Sequence, residues 1–427
     1  MTHISELMTR MNPWWSGEFK EEFKPRKVYN RINELLKVRQ IIALTGLRRV
    51  GKTTLMMKVV NDYLANGFSP GNILYFSFDE SQNSSIIDII SEYERMFNKS
   101  LRGGECLLLF DEIQKLKEWE NKLKTIYDTY KSGVKIIISG SESLFIKKRM
   151  EENLAGRIFE VRVEQLTFPE YLGFIGQEVE PYEVHKGRLL AAMSSFSRTQ
   201  GFPELAESDS MPNIKNYIDS IINTVLYKDI PSIFPVENPG ILESIMRILM
   251  EEPGQIIDFS KLSRDLKISR HTASNYVGYL EASFLIRKLY NYSGSARKME
   301  RSLRKYYPAV ISPELTFKED AYHRSRVFEW LVVNQLKQGF FWSDSYKHEV
   351  DMVLKGKALI PLEIKYGKIE TGSVEAFLSR FNERKGYVIS SSEKGTMKYG
   401  GSVIKIIPAP MLFVDAGKIL GDVEVDL

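Results

Sequence analysis

The sequence contains a single cysteine, Cys106, among its 427 residues. One thiol cannot form an intramolecular disulfide, so a secreted fold stapled by disulfides is excluded. No apolar run approaches the roughly 20 residues that a membrane-spanning helix requires. The first residues, MTHISELMTRMNPWW, lack the basic start and the apolar stretch of a signal peptide. We therefore expect a cytoplasmic protein without a membrane partner.

An excess of one charge sign is also missing. The chain has 59 lysines and arginines against 55 aspartates and glutamates, a net charge of +4. Averaged over the whole chain, this charge is too small to indicate a nucleic-acid partner by itself. The length and the 43% of hydrophobic residues are typical of a globular protein with two to four domains. A charged binding surface, if present, must therefore be confined to one segment of the chain.

The most specific motif is GLRRVGKTT at residues 46–54, which matches the P-loop pattern. IIALT before it predicts a strand, and TTLMMKVVNDYL after it predicts a helix, which is the context a P-loop needs. Backbone N–H groups of the loop and the helix N-terminus would cradle the phosphates, Lys52 would reach the terminal phosphates, and the Thr53 hydroxyl would ligate Mg²⁺. We predict ATP and Mg²⁺ as cofactors, bound by Gly46, Arg48, Arg49, Val50, Gly51, Lys52, Thr53 and Thr54.

Two carboxylates follow a second apolar strand, in ECLLLFDEIQ. Acidic residues at such a place are expected at the carboxyl edge of the sheet, where the phosphates bind. Asp111 would hold Mg²⁺, and Glu112 would polarise the attacking water. In the next strand segment, VKIIISGSES, Ser141 is a candidate sensor of the γ-phosphate, and a plain strand-to-loop turn is the alternative.

Taken together, GLRRVGKTT, LLLFDEIQKLKEWE, IIISGSES, LAGR and QGFPE resemble the AAA+/STAND-type ATPases of archaea and bacteria. The resemblance covers residues 10–235, and the early NPWW is similar to the archaeal members. It implies that Arg157 faces nucleotide, either as an arginine finger to a neighbouring subunit or as a sensor in its own. It also implies that Pro203, in the Gly-Phe-Pro stretch, contacts the base and ribose, whereas a simple helix breaker is the alternative.

The alternation of strand-like and helix-like segments predicts an α/β fold with a buried parallel sheet in the ATPase core. The pattern then becomes helical, includes two helices around a short turn, and ends in a further α/β part. The predicted parts are an N-terminal extension 1–29, a P-loop core 30–167, a helical lid 168–238, a winged helix-turn-helix 239–312, and a restriction-endonuclease-like domain 313–427.

Positive charge is concentrated in the middle of the chain. Between Lys261 and Lys305 there are eleven basic and three acidic residues, so the net charge there is 11 − 3 = +8. Such a segment is typical of a phosphate-binding surface. The candidate DNA contacts are Arg270, His271, Ser274, Asn275, Arg297, Lys298, Arg301 and Arg304. ISRHTASNYVGYL is the expected recognition helix, in which Tyr276, Val277 and Leu280 are expected to pack inward. The alternatives are a solvated basic face or a winged helix that serves only as a hinge, as in many STAND-type ATPases.

The last part of the chain carries a second set of polar residues. HEVDMVL places Asp351 in a strand, and IPLEIKY places Glu363 and Lys365 on one face of the next strand, because alternate residues share a face. The preceding helix carries Glu329. The carboxylates suit a divalent cation, with Lys365 orienting or deprotonating an attacking water, and a surface ion-pair ladder is the alternative.

This arrangement is similar to the PD-(D/E)XK nucleases and covers residues 315–427, although Val350 stands where the proline of that motif is expected. The resemblance implies a second Mg²⁺ or Mn²⁺ and a DNA nuclease activity.

Two functions compete, and a nucleotide-regulated DNA-binding protein with neither translocation nor cleavage is a third interpretation. The first is an ATP-driven motor or remodeller of duplex or branched DNA, a homo-oligomer for which a hexameric ring is one arrangement. The second is a STAND-like nucleotide switch whose C-terminal domain is a nuclease effector or a DNA-binding module. The sequence favours the motor, because the chain lacks a sensor repeat array and its basic segment follows the ATPase part.

Overall fold

The computed structural model describes residues 3–17, 19–79, 85–130, 133–141, 154, 156–177 and 182–421. The chain divides into two compact units, Met1–Glu164 and Gln165–Leu427. In the described ranges, none of the helices combines the length and the apolarity that crossing a membrane would demand.

The first unit is built on a five-stranded sheet in which every neighbouring pair is parallel. Its order is β2-β3-β4-β1-β5, and the strands are β1 (Ile41–Thr45), β2 (Ile73–Ser77), β3 (Cys106–Asp111), β4 (Val134–Gly140) and β5 (Ile158–Arg162). The three central strands are buried along their whole length. A parallel sheet covered on both faces requires such continuous apolar runs.

Helices connect and flank these strands. They are α1 (His3–Met11), α2 (Val28–Leu36), α3 (Lys52–Ala65), α4 (Ile86–Met96) and α5 (Trp119–Thr129). The chain leaves β1 directly into the P-loop and α3, and β3 ends at Asp111. Both features therefore lie at the carboxyl edge of the sheet, where α/β proteins bind ligands.

The N-terminal segment covers the β2 edge of this sheet. The Asn12 side chain donates to the Tyr75 carbonyl oxygen at 2.8 Å and accepts from the Tyr75 N–H at 2.7 Å. The indole N–H groups of Trp14 and Trp15 both donate to the Ile73 carbonyl oxygen. The NPWW stretch thus satisfies backbone groups that an open edge strand would leave unpaired.

Among the described residues, the second unit begins with helices and no strand, the pattern expected for residues 168–238. They are α6 (Phe168–Phe174), α7 (Tyr182–Thr199), α8 (Met211–Thr224), a π-helical turn (Val225–Asp229) and α9 (Ile230–Ile233). A capping box fixes the start of α6, in which Thr167 and Glu170 bond each other's backbone N–H groups.

Helices and short strands alternate next. They are α10 (Pro239–Glu251), β6 (Gln255–Ile256), α11 (Phe259–Asp265), α12 (Arg270–Ala282), β7 (Ile286–Asn291), α13 (Ala296–Arg301) and β8 (Arg304–Pro308). β8 pairs antiparallel with both β6 and β7. Two later strands, β9 (Phe340–Ser343) and β10 (Glu349–Val350), extend this sheet to the order β10-β9-β7-β8-β6. The sheet therefore runs across the predicted boundary at residue 312.

The third sheet has the order β11-β12-β13-β15-β14 and mixes parallel and antiparallel pairs. Its strands are β11 (Met352–Lys355), β12 (Leu359–Lys365), β13 (Lys385–Ser390), β14 (Gly395–Tyr399) and β15 (Ser402–Pro408). The helices of this part are α14 (Pro313–Phe317), α15 (Ala321–Leu336), α16 (Gly372–Phe381) and α17 (Ala409–Leu420).

One apolar core joins the beginning and the end of the second unit. Phe168 and Phe196 of the first helices, Tyr307 of β8 and Leu412 of α17 belong to the same buried cluster. The predicted α/β class, with a parallel P-loop core and further α/β parts, is confirmed.

Candidate functional site

The P-loop depends on a close backbone approach at its first glycine. Gly46 has φ = +147°, and a Cβ built there would lie 1.9 Å from the Val163 carbonyl oxygen. Gly51, directly before α3, has φ = +95°. Residues with a side chain rarely adopt such angles. The two glycines therefore allow the loop to turn tightly against the chain that leaves β5.

The Lys52 ammonium lies inside this loop. It donates to the carbonyl oxygens of Gly46 at 2.9 Å and Leu47 at 3.0 Å, and the residue is only 5% exposed. The positive charge is thus held where the loop N–H groups and the N-terminus of α3 favour an anion. Of the other predicted loop residues, Val50 is buried, Arg48 is half-buried, and Arg49, Thr53 and Thr54 are exposed.

Asp111 and Thr53 lie together at the end of β3. The Thr53 hydroxyl donates to Asp111 Oδ2 at 2.7 Å. A hydroxyl and a carboxylate oxygen from two elements are hard donors that suit Mg²⁺, which commonly keeps several waters. These residues fit the ion that the P-loop implies. When bound, Mg²⁺ would neutralise charge on the phosphate oxygens.

Glu112 leaves the strand in a left-handed conformation, with φ = +52°. Its backbone N–H donates to Ser139 Oγ at 3.1 Å. Gln114 Nε2 donates to Glu112 Oε2 at 2.5 Å and to Ser141 Oγ at 3.2 Å. The carboxylate is therefore held in one orientation, and Ser141 is joined to it through the Gln114 amide.

Two positioning residues at this site were not predicted from the sequence. The Ser139 hydroxyl donates to Asp111 Oδ1, and the Tyr75 hydroxyl donates to Asp111 Oδ2 at 2.9 Å. Burial, followed by the charge of Asp111, raises the pKa of Tyr75 above its usual value, so the hydroxyl stays a donor. Ser139 lies within β4, where the parallel register sets Phe110 opposite Ile138 and so brings Ser139 next to Asp111. This pairing joins two separate segments, so neither segment alone indicates the contact.

A third missed residue is Arg26, in the predicted N-terminal extension. Its guanidinium donates to the Val50 carbonyl oxygen at 3.0 Å and to the Glu164 carbonyl oxygen at 2.8 Å. It joins the P-loop to the chain that follows β5. Nothing in the local sequence pattern distinguishes it from neighbouring basic residues.

We expect Tyr75→Phe to raise the Mg²⁺ concentration needed for half-maximal ATP hydrolysis several-fold, with a smaller change in kcat. The variant removes one donor that orients Asp111, worth about 1 kcal/mol or somewhat more because the acceptor is charged. Titrating Mg²⁺ at saturating ATP measures this. Tyr130→Phe is the control, because its ring packs against the core cluster of the same unit. Equal Mg²⁺ requirements of Tyr75→Phe and the parent would contradict a positioning role.

Arg157 lies far from the P-loop of its own chain. Its carbonyl oxygen accepts from the N–H of Ile41, the first residue of β1, whereas the P-loop follows the last residue of that strand. Four residue rises of about 3.3 Å separate the two edges by about 13 Å. Its guanidinium bonds Asp128 at 3.1 Å. This position disfavours a sensor in the same subunit, but the sensor and the finger in trans both stay predictions.

Pro203 lies in the second unit, at the first position of a 3₁₀ turn (Pro203–Leu205). The turn is tightly fixed, because Gly201 has φ = +73° and a Cβ there would lie 2.8 Å from the Leu166 carbonyl oxygen. Phe202 between them is fully buried. The expected contact of Pro203 with nucleotide stays a prediction.

The predicted recognition helix is α12, and Ser269 caps it by accepting from the Thr272 N–H. Tyr276, Val277 and Leu280 are buried, as predicted. The polar candidates lie on the other side of the helix: Arg270, His271 and Ser274 are exposed, and Asn275 is half-buried and bonds His271.

The basic residues around α13 fall into two groups. Arg297, Lys298 and Arg301 are exposed. Arg304 is half-buried, because its guanidinium bonds Glu300 at 2.8 Å and lies over the Tyr290 ring. The expected surface is therefore smaller than the count of eleven suggests.

Lys305 does not belong to that surface. It is only 4% exposed, and its ammonium lies 2.6 Å from Glu349, 3.8 Å from Asp351 and 3.9 Å from Glu329. Tyr307, two residues along β8, donates to Glu329 at 2.7 Å. The basic residue that ends the charged segment is thus the centre of the C-terminal acidic cluster.

The remaining predicted residues complete this cluster. Lys365 bonds Glu363 at 2.7 Å, while Asp351 Oδ2 accepts from the Ile364 N–H at 2.8 Å. Burial, then the charges of Glu363 and Glu329, raise the pKa of Asp351 well above its usual value. Burial also raises the pKa of Glu363 despite the nearby Lys365. The structure brings all four predicted residues together, and Lys305 and Glu349 are members of the cluster that were not predicted.

Comparisons with known proteins agree with the nucleotide site. Residues 38–172 match the family described as AAA domain. Residues 199–309 and 326–412 match two families described as domains of unknown function, DUF8612 and DUF4143. With the P-loop, Asp111 and the parallel sheet, the first match defines a P-loop ATPase domain of the AAA type. This domain match supports ATP hydrolysis by residues 38–172.

Several relatives extend over most of the chain. Two uncharacterized proteins of Methanocaldococcus jannaschii are each 26% identical; one match covers 86% of this chain and 83% of the relative, the other 82% and 80%. An uncharacterized protein of Haemophilus influenzae is 25% identical, over 70% of this chain and 75% of its own. The Saccharomyces cerevisiae Hsp104–ADP complex matches with 14% identity and a TM-score of 0.32, over 66% of this chain and 42% of that chain. A likeness this weak carries no argument about function.

Proposed function

We propose that the protein is an ATP-hydrolysing DNA-binding protein that acts on duplex or branched DNA as a homo-oligomer. The observation that carries the DNA part is the exposed polar side of α12 together with the exposed basic residues of α13. These groups belong to the same chain as an AAA-type ATPase domain. ATP hydrolysis would change the affinity of the protein for DNA.

The order of elements supports a DNA-binding role for residues 239–308. A helix, a short strand, two helices, a strand, the short helix α13 and a last strand follow one another, and the last strand pairs with both earlier ones. This order resembles a winged helix, in which the second helix of the pair enters the major groove. Arg270 and His271 stand at the N-terminal end of that helix, the part that commonly contacts base edges.

The hydrolysis step rests on the residues at the carboxyl edge of the first sheet. Lys52 would neutralise the terminal phosphates, and Thr53 and Asp111 would hold the metal. Glu112 would polarise the water that attacks the γ-phosphorus in line, while the bond from that phosphorus to the bridging oxygen breaks and ADP leaves. Gln114 orients the Glu112 carboxylate during this step.

We predict that Arg297→Glu, Lys298→Glu and Arg301→Glu, made together, weaken duplex binding and flatten its salt dependence. Each lost phosphate contact removes about 0.9 from the slope of log K against log salt, so the slope should fall by roughly 3. Fluorescence anisotropy of a labelled duplex from about 50 to 200 mM salt measures it, in the presence of a slowly hydrolysed ATP analogue.

The matched control reverses Lys186, Arg188 and Lys355, which are also exposed. It changes the net charge by the same amount at places outside α12 and α13. If the control flattened the slope as much as the triple variant, attraction by overall charge would explain the result. If neither variant changed the slope, the DNA interface would lie elsewhere.

A monomeric STAND-like switch is the second candidate. It is favoured by the ion pair between Arg157 and Asp128 of the same chain, because that contact occupies the residue a neighbouring subunit would need. Solution mass with the ATP analogue and duplex DNA separates the two candidates: a ring supports the motor and a monomer the switch. The predicted nuclease activity is not part of this proposal, because Lys305 lies among the carboxylates that would hold its metal.

A further inference from the structure

The acidic cluster in the second unit is assembled from three separate elements. Glu329 comes from α15, Glu349 and Asp351 from β10 and the residue after it, and Glu363 from β12. Asp351 and Glu363 are almost fully buried. Buried carboxylates that face one another repel unless a cation or protons compensate them. The cluster therefore needs a positive partner.

That partner comes from a different part of the chain. Lys305 lies on β8, in the segment that matches DUF8612, whereas all four carboxylates lie in the segment that matches DUF4143. Its ammonium is within 4 Å of Glu329, Glu349 and Asp351. Strand alternation directs Lys305 and Tyr307 to the same face, and both side chains contact Glu329.

The same positions do not form a metal centre. Within the ranges that the structure describes, no group of three or more histidine, cysteine, aspartate or glutamate side chains is arranged to hold a metal ion. One oxygen of Asp351 is bonded to a backbone N–H, and Glu363 is bonded to Lys365. A divalent ion and the Lys305 ammonium would compete for the same carboxylates.

We propose that Lys305 is the permanent cation of this cluster, and that the cluster joins β8 to the C-terminal sheet instead of holding a nuclease metal. This inference does not rest on the proposed DNA binding. Its consequence is that the strand following the basic α13 helix is tied by charge to the C-terminal part of the unit. Burial lowers the pKa of Lys305, but Asp351, Glu329 and Glu349 raise it more, so the ammonium stays charged.

The first experiment counts bound metal. Nucleotide-free parent and Asp351→Asn are titrated with Mn²⁺, and free Mn²⁺ is followed by electron paramagnetic resonance. We expect the same number of bound ions in both proteins. If the parent bound one more Mn²⁺ per chain than Asp351→Asn, the cluster would be a metal centre and the proposal would be overturned. This comparison does not require a Lys305 variant to fold.

The second experiment removes the cation. Lys305→Met leaves Glu329, Glu349 and Asp351 without their partner, so the melting temperature should fall by about 10 °C at pH 8. At pH 5 the melting temperature should fall by less than half as much. The folded-state pKa values of Asp351 and Glu363 are raised, so these groups take up protons at the lower pH and no longer need a cation. The groups facing Lys305 are Glu329, Glu349, Asp351 and Tyr307, with Glu363 and Lys365 beyond them.

Lys288→Met is the matched control. Lys288 is a half-buried strand lysine on β7, paired with Glu281 at 2.9 Å outside the cluster. The melting temperature of Lys288→Met should fall only slightly, and by a similar amount at both pH values. A Lys305→Met loss that did not exceed the control, or that was equal at pH 5 and pH 8, would show that Lys305 acts by packing alone and would contradict the proposal.

Discussion

Glu112→Gln should keep ATP binding and lose hydrolysis by about 10²- to 10⁴-fold, the usual contribution of a general base. The amide cannot polarise water, whereas Thr53 and Asp111, which would hold the metal, are unchanged. A glutamine still accepts the Gln114 bond, so the local structure should survive. Phosphate release at saturating ATP and binding of a fluorescent ATP analogue measure the two effects.

The control for this substitution is Glu118→Gln. Glu118 is exposed and has φ = +55°, nearly the backbone angle of Glu112, in the same connection between β3 and α5. It should hydrolyse ATP at the parent rate. Hydrolysis by Glu112→Gln at the parent rate would place the catalytic carboxylate elsewhere.

The same variant can test where Arg157 acts. If Arg157 completes a neighbour's site, an Arg157→Ala subunit keeps its own Glu112 and can take Arg157 from a Glu112→Gln neighbour. Mixing the two slow variants should then restore part of the activity. If a mixed oligomer recovered no ATPase activity, Arg157 would not act as an arginine finger on the neighbouring subunit.

Gly46→Ala should unfold the P-loop and destabilise the first unit by more than about 2 kcal/mol, because both backbone angle and space are lost. The new methyl group would lie 1.9 Å from the Val163 carbonyl oxygen, which belongs to the backbone and cannot rotate away. ATP binding should disappear as well. Thermal unfolding and nucleotide titration of the same preparation measure both effects.

Gly103→Ala is the control that separates the effect of the backbone angle from that of the clash with Val163. Gly103 has φ = +81°, and a methyl group added there would meet no heavy atom within 4 Å, so only the angle is unfavourable. We expect a loss of about 1 kcal/mol and unchanged ATP binding. Equal losses in Gly46→Ala and Gly103→Ala would mean that the approach to Val163 is unimportant.

The sequence predicted the parts of the molecule that are governed by local patterns. Apolar runs ending in GLRRVGKTT and LLLFDE indicated the strands, the P-loop and Asp111 because each feature lies within a few residues of its strand. Tyr276 and Val277 were predicted to be buried from helix periodicity alone, and both are.

Contacts between residues that lie far apart in the sequence could not be predicted. Ser139 contacts Asp111 because of the register between β3 and β4, which no single segment contains. Local charge groups Lys305 with its basic neighbours, yet its partner Glu349 lies 44 positions later in the chain. Arg157 was assigned from a short motif, and the sheet edge on which it lies depends on where β5 begins.

The contacts of Asn12 and Arg26 decide where the ATPase domain starts. The AAA match begins at residue 38, but Asn12 covers the β2 edge and Arg26 bonds the P-loop residue Val50. A fragment cut at residue 38 would have a bare strand edge, which invites intermolecular pairing. Anyone isolating this domain for crystallisation or kinetics should retain the first 37 residues, since aggregation of the shorter fragment would otherwise be mistaken for an intrinsically unstable ATPase.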